Sequence, residues 1–392
     1  MIPIEEALEI LGKVEARFSV EETGLAHALG RVLARTVASP IDSPPFDKAA
    51  MDGFAVSGQA GGAAHDGPWQ VRETVAAGSA PARPVAEGEC ARIMTGAMLP
   101  PGTDRVIRKE FTEETAGAVR MVHPESSDNV VYRGENLRTG DPVLQPKLLA
   151  AQDIGALAAS GFASVPVAVP PRVAILCTGT EIRAPGEPLA PGEIYNSSAA
   201  QLAAQLAAMR VPSQYLGAVA DSRGALQEAV SAGLETCDVL LLTGGVSEGD
   251  FDYVPACLEA LGAEVLFHGV AIKPGKPTLY ARAGSTHIFG LPGNPVSTFV
   301  VFEIFVKPLL FRLMGIRAEP IVVRVPLASA ISRREAERDE FRPVRISGGA
   351  AQLIAYHGSA HLNALSDAQG LIRITRGVTA IPAGETIDVR LL

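Results

Sequence analysis

Apolar and polar positions change period several times along this chain, and each change predicts a different element. Ile4, Leu8, Leu11, Val14 and Phe18 recur at helical spacing behind Pro3, which predicts an amphipathic helix with proline where a helix start tolerates it. Residues 25–34 predict a second short helix, and 39–46, with Pro40, Pro44 and Pro45, an extended crossing. From Ser57 to about Val131 the pattern shortens. Apolar runs at 70–75, 91–94, 105–110 and 118–123 between glycine and proline breaks predict a small β-rich unit, with Trp69 packed inside it.

Beyond a helix at 152–160 and a boundary at Pro170–Pro171, strand and helix patterns alternate. Strand 173–177 ends in Thr178, Gly179, Thr180 and Glu181. Asn196 or Ser197 caps a helix whose Leu202, Leu206 and Met209 share a face. Strand 214–219 ends at Ala220 and Asp221, and Ser222 caps the next helix. Strand 239–242 ends in Thr243, Gly244 and Gly245, followed by Ser247, Glu248, Asp250, Asp252 and a helix over 254–261. This alternation predicts a parallel sheet. Glu181, Asp221, Asp250 and Asp252 all follow strands, so they should converge on the edge where such sheets bind ligands. After Gly315, runs at 321–325, 341–346, 353–355, 371–374 and 387–391 predict a final all-β module.

Several loops carry candidate chemistry. The glycine pair allows a tight turn and a close backbone approach to a ligand, although a plain strand–helix turn with solvated acids has the same pattern. AIKPGKP (271–277) puts Lys273 and Lys276 on a stiff loop, where held ammonium groups suit oxyanions. LPGNPVS (291–297) places Pro292, Gly293, Asn294, Pro295 and Ser297 between an apolar run and a helix expected over 296–314. Free N–H groups at a helix start favour an anion. Together these point to a phosphorylated substrate with a divalent ion. Asp52–Gly53 is a turn signal, and Thr95 is an exposed hydroxyl at a strand end.

Composition narrows the choice. A length of 392 residues suggests two to four domains, and 47% apolar with 20% charged residues suits a globular chain. A net charge of −9 argues against a general nucleic-acid binder. Cys90, Cys177, Cys237 and Cys257 form no metal or disulfide spacing and read as buried thiols, as in a reducing cytosol. Glu5, Glu6 and Glu9 exclude a signal peptide, and no apolar window is long enough to span a membrane.

PPFDKAAMDGFAV (44–56), RIMTGAMLP (92–100), RGENL (133–137), CTGTEI (177–182), GEIYNSS (192–198), TGGVSEGDFD (243–252), AIKPGKP and LPGNPVS together resemble the MoeA/gephyrin E-domain family, the molybdopterin molybdenumtransferases. The motifs stand in the family's order over most of the chain. The resemblance implies a multidomain α/β and β fold in four parts. These are a discontinuous part (1–45 with 140–169), an inserted β-rich part (46–139), an α/β molybdopterin-binding part (170–316) and a C-terminal small β-barrel (317–392). It implies a cytoplasmic homodimer that inserts molybdenum from molybdate into adenylylated molybdopterin and releases AMP, with Mg2+ assisting.

By the same resemblance, Glu181, Asp221 and Asp252 are metal-related acids, and Asp52 and Thr95 reach across the dimer cleft. Lys273 and Lys276 bind the oxyanion, Arg342 and Ser359 complete its pocket, and Gly244, Gly245, Ser247, Asp250 and the LPGNPVS residues bind substrate. Further partners expected are a molybdopterin adenylyltransferase and molybdoenzyme chaperones. Asn136 stands where many relatives carry Asp, and Gly269 where some carry Lys. Two other readings remain at this point: adenylyl transfer to molybdopterin, which needs only the third part, and a non-catalytic scaffold of the gephyrin type.

Overall fold

The structure is a computed structural model that describes residues 1–58, 66–246 and 253–392. The helix Ile4–Gly12 stops earlier than its spacing predicts, so Val14 and Phe18 pack from the following loop. Its buried face is Ile4, Ala7 and Leu11, whereas Leu8 is exposed. The second helix is also shorter, Leu25–Ala28, and Gly30 turns the chain with φ +74°. Strand Val20–Gly24 pairs antiparallel with Ser164–Ala168, and Val37–Ala38 with Pro142–Leu144. Segments far apart in sequence thus share one core of Ala28, Leu33, Val37, Leu149, Leu157, Val165 and Val167.

Between them lies a six-stranded sheet in the order Arg105–Arg108, Gly53–Val56, Glu89–Ile93, Trp69–Val75, Ala118–Met121, Thr112–Thr115. Gly53–Val56 is buried on both faces because strand side chains alternate: Phe54 and Val56 join the Trp69 cluster, and Ala55 the opposite one.

The second six-stranded sheet runs Ser213–Val219, Val173–Thr178, Val239–Thr243, Thr286–Leu291, Leu279–Ala283, Glu264–His268. The first four strands are parallel, as predicted, but the last two are antiparallel. The expectation of a wholly parallel sheet is corrected at a hairpin, where Gly284 with φ +59° returns the chain directly. Helices cover both faces, which explains the unbroken apolar run 239–242: Val239 and Leu241 face one core, Leu240 and Leu242 the other. The expected helix over 296–314 begins at Pro295 and is interrupted by a π-helical turn, Phe302–Val306, before Lys307–Leu313.

The final sheet has the order Ile272–Lys273, Asp339–Ser347, Gly370–Ile374, Thr386–Leu391, Val322–Pro326, with Ala350–Leu353 paired to Asp339–Ser347. The path is open, and one bridge, Leu327 to Ala351, ties its far end to Ala350–Leu353. Its first strand is part of the lysine loop, which no sequence pattern announced. Arg373 joins buried Asp339 to Glu5, fastening the first helix to this module. All four cysteines are free and buried, and burial pushes the Cys90 thiol up to about 12. Among the described residues, no helix is long and apolar enough to cross a membrane.

Candidate functional site

The carboxyl ends of the four parallel strands form one edge, and three of the predicted loops meet there. Gly179 N–H donates to Val219 O at 3.1 Å, tying the ends of neighbouring strands. Glu181 follows one of them and Asp221 the other. A Cβ at Gly179 would stand 2.6 Å from Glu181 Oε2, so the carboxylate folds back over a backbone that only glycine leaves open there. Ser247, Asp250 and Asp252 lie outside the described residues. Among the described residues, no group of three His, Cys, Asp or Glu side chains stands as a metal would need. Glu181 and Asp221 carry hard carboxylate oxygens, the donor type that magnesium takes.

The glycine pair is held by close packing. A Cβ at Gly244 would stand 2.7 Å from Thr178 Oγ1, and Gly244 N–H donates to Leu291 O at 3.1 Å. Gly293 in turn approaches so near that its Cβ would lie 3.6 Å from Gly244 Cα. The two glycine-bearing loops therefore touch through their backbones. Thr178 is buried, and its hydroxyl makes no hydrogen bond among the described residues. Sequence reasoning passed over it as the last residue of an apolar run.

The LPGNPVS loop is braced from the helix Ser197–Ala208, where Gln201 Nε2 donates to Pro295 O at 3.1 Å. Thr298 Oγ1 donates to Pro292 O at 2.6 Å. Asn294 and Gly293 are exposed, whereas Pro292 and Ser297 are buried. The N–H of Val296, at the helix start, donates to Ser359 O at 3.1 Å. That bond brings Ser359, from the final module, onto the loop.

The lysine loop is pinned at both ends. Ile2 N–H donates to Gly269 O at 2.9 Å, and Val270 N–H to Lys276 O at 2.9 Å. Gly275 has φ +118°, and a Cβ there would stand 2.7 Å from Val301 Cγ2. Lys273 pairs in register with Glu340 of the final sheet. Its Nζ is 4.0 Å from Glu340 Oε1, which also accepts from Arg342 Nε at 3.0 Å. The structure thus gathers Lys273 and Arg342 on Glu340, with Lys276 exposed on the lysine loop, while Ser359 is tied to the LPGNPVS loop. Glu340 was missed because a buried acid inside a strand resembles any other polar strand position.

Asp52, just before the strand Gly53–Val56, and Thr95, just after its antiparallel neighbour Glu89–Ile93, meet at one end of the β-rich sheet. Among the described residues, no hydrogen bond or ion pair links either to the parallel-sheet edge. Asn136 is exposed, and its N–H donates to Ser43 O at 3.0 Å, so the RGENL loop is fastened by its backbone to the crossing segment.

Comparison with known proteins agrees over the whole chain. Residues 2–161 match the MoeA N-terminal region (domain I and II), residues 174–312 the probable molybdopterin binding domain, and residues 324–392 the MoeA C-terminal region (domain IV). The molybdopterin molybdenumtransferase of Bacillus subtilis is 32% identical over 407 residues, covering 100% of this chain and 94% of that protein. One from Staphylococcus aureus is 31% identical over 399 residues, covering 100% and 95%. A crystal structure of the molybdopterin biosynthesis MoeA protein from Pyrococcus horikoshii superposes with a TM-score of 0.81 at 31% identity, covering 100% of this chain and 99% of that one.

Proposed function

Because this chain belongs to the MoeA family of molybdopterin molybdenumtransferases, we propose that it inserts molybdenum from molybdate into adenylylated molybdopterin and releases AMP. The observation that supports the reading is the meeting of Lys273 and Arg342 on Glu340, with Ser359 bonded to the LPGNPVS loop, which packs on the Gly244 turn of the strand edge. It supplies cations for an oxyanion and backbone that a phosphate can approach.

In this reading the glycine pair Gly244–Gly245 and the LPGNPVS loop receive the adenylylated pterin, since backbone without side chains permits a close approach. Lys273, Lys276 and Arg342 hold molybdate by charge, with Ser359 completing the pocket. Glu181 and Asp221, with Asp252, would hold Mg2+, whose chemistry there is to neutralise charge on the phosphoanhydride. Among the described residues, no hydrogen bond or ion pair links Asp52 or Thr95 to this edge, and the reading places them in a homodimer's cleft shared between subunits. The reading also carries the four-part division of the chain with a small C-terminal β-barrel, a cytoplasmic location, and contacts with a molybdopterin adenylyltransferase and molybdoenzyme chaperones.

The test is direct. Purified protein given adenylylated molybdopterin and magnesium should release AMP when molybdate is added. AMP release that is indifferent to molybdate sinks the proposal. ATP-dependent AMP transfer to free molybdopterin would favour the adenylyltransferase reading instead.

A further inference from the structure

Glu340 has no part in the reaction as described above, yet its surroundings are unusual for a carboxylate. It lies on the strand Asp339–Ser347, in register with Lys273, and its side chain is 5% exposed. One oxygen faces Arg342 Nε at 3.0 Å and Lys273 Nζ at 4.0 Å. The other is 3.5 Å from Arg333 Nη1 but makes no hydrogen bond. Tyr356 stands close to the same group, and its hydroxyl is pushed up to about 12 by burial and then by the charge of Glu340, partly offset by Arg342.

The three cations differ in what they can do. Arg333 is buried and spends its guanidinium on the carbonyls of Val378, Arg338 and Thr375, at 2.6, 2.9 and 2.6 Å. It is a structural charge behind Glu340. Lys273 and Arg342 are 43% and 25% exposed and reach solvent. Glu340 offsets one unit of the positive charge that Lys273, Arg342 and Arg333 bring to this junction.

We propose that Glu340 is a positioning residue that sets the charge selectivity of this pocket. It holds Lys273 and Arg342 at the oxyanion position and lowers the positive charge of the pocket by one. The proposal rests on the reading that Lys273 and Arg342 take the oxyanion. Removing a negative charge at this distance favours every anion, and a dianion more than a monoanion, since Coulomb energy scales with the product of charges. Selectivity is therefore the quantity to read, because it is a difference of affinities.

The experiment measures calorimetric binding of molybdate and perrhenate, two tetrahedral oxyanions of charge −2 and −1, to the full chain. Glu340→Gln keeps the shape and an acceptor for Arg342. Its molybdate affinity should rise about tenfold, and the molybdate-to-perrhenate ratio should rise several-fold. The double variant Glu340→Gln/Arg342→Gln restores the net charge of the wild type and should return the ratio towards that of the wild type. If Glu340→Gln does not fold, the ratio in the double variant and in Arg342→Gln alone, where it should fall, carries the test. An unchanged ratio across these variants, or equal weakening of both anions, overturns the proposal and leaves Glu340 a packing residue. Lys273→Ala tests the underlying reading separately: unchanged molybdate binding there removes the pocket itself, whatever Glu340 does.

Discussion

Thr95 donates its hydroxyl at 2.6 Å and its backbone N–H at 2.7 Å to the same oxygen of Asp52. The hydroxyl bond, then the N–H bond, hold this acid below the usual carboxylate range, with a smaller attraction from Lys109. The pair is therefore an ionised, oriented carboxylate on an exposed turn, although the two residues are 43 positions apart.

Thr95→Val keeps the N–H and removes the hydroxyl. The acidity of Asp52 should weaken, as read by carboxyl NMR titration, and AMP release should fall about tenfold, the worth of one charge-assisted hydrogen bond. Both residues are exposed, so thermal stability should change by less than about 0.5 kcal/mol. Mixed Asp52→Ala and Lys273→Ala subunits should recover activity if the cleft is shared. No recovery after confirmed subunit exchange would count against it.

Thr178 offers a test at the sheet edge. Its buried hydroxyl lacks a partner among the described residues, so Thr178→Val should alter stability by no more than about 0.5 kcal/mol. If the hydroxyl meets the pterin substrate, KM should rise several-fold with the fold unchanged. Equal KM values in the two proteins would assign the hydroxyl no ligand.

Gly244→Ala would drive a Cβ to 2.7 Å from Thr178 Oγ1 and 2.8 Å from Thr178 O, at φ +88°. The expected cost is about 1–3 kcal/mol, with loss of AMP release. Gly78→Ala has a similar φ of +83° and nothing within 4 Å, so it reports backbone strain alone. Equal losses of stability in the two variants would mean that Thr178 does not crowd Gly244.

His287 accepts a hydrogen bond from Tyr280 Oη at 2.8 Å, since the buried phenol has no other acceptor among the described residues. Burial, then the charges of Arg282 and Arg17, lower its pKa to about 4, with Asp238 opposing. The folded state therefore prefers neutral imidazole. Its contribution to stability is complete above the unfolded value of about 6.5 and is lost as pH falls towards 4. Unfolding midpoints measured between pH 7 and 4 should fall less steeply in His287→Gln than in the wild type. Parallel curves would show that another group governs the acid limb.

The sequence by itself determined the four parallel strands' alternation with helices, many of the remaining strands and most of the loops named as carrying candidate chemistry. Apolar runs such as 239–242, buried on both faces, and turn glycines such as Gly244 are local necessities, so they appear in any reading of period and punctuation. Asn196 as a cap was equally legible, because a cap satisfies the N–H of Ala199 three residues on.

What only the tertiary structure decided are contacts between segments distant in sequence. Helical spacing continues past Gly12, but the chain leaves the helix there, and Arg17 N–H bonds to Leu313 O, 296 residues away. Nothing near Val296 indicates that its N–H is taken by Ser359, nor does anything near Lys273 indicate that a strand of the final module will lie beside it. Glu340 depends on this most. An acid inside a strand is a poor candidate for burial until three cations from separate elements surround it, because burial of a charge is set by its neighbours in space and not by its place in the chain.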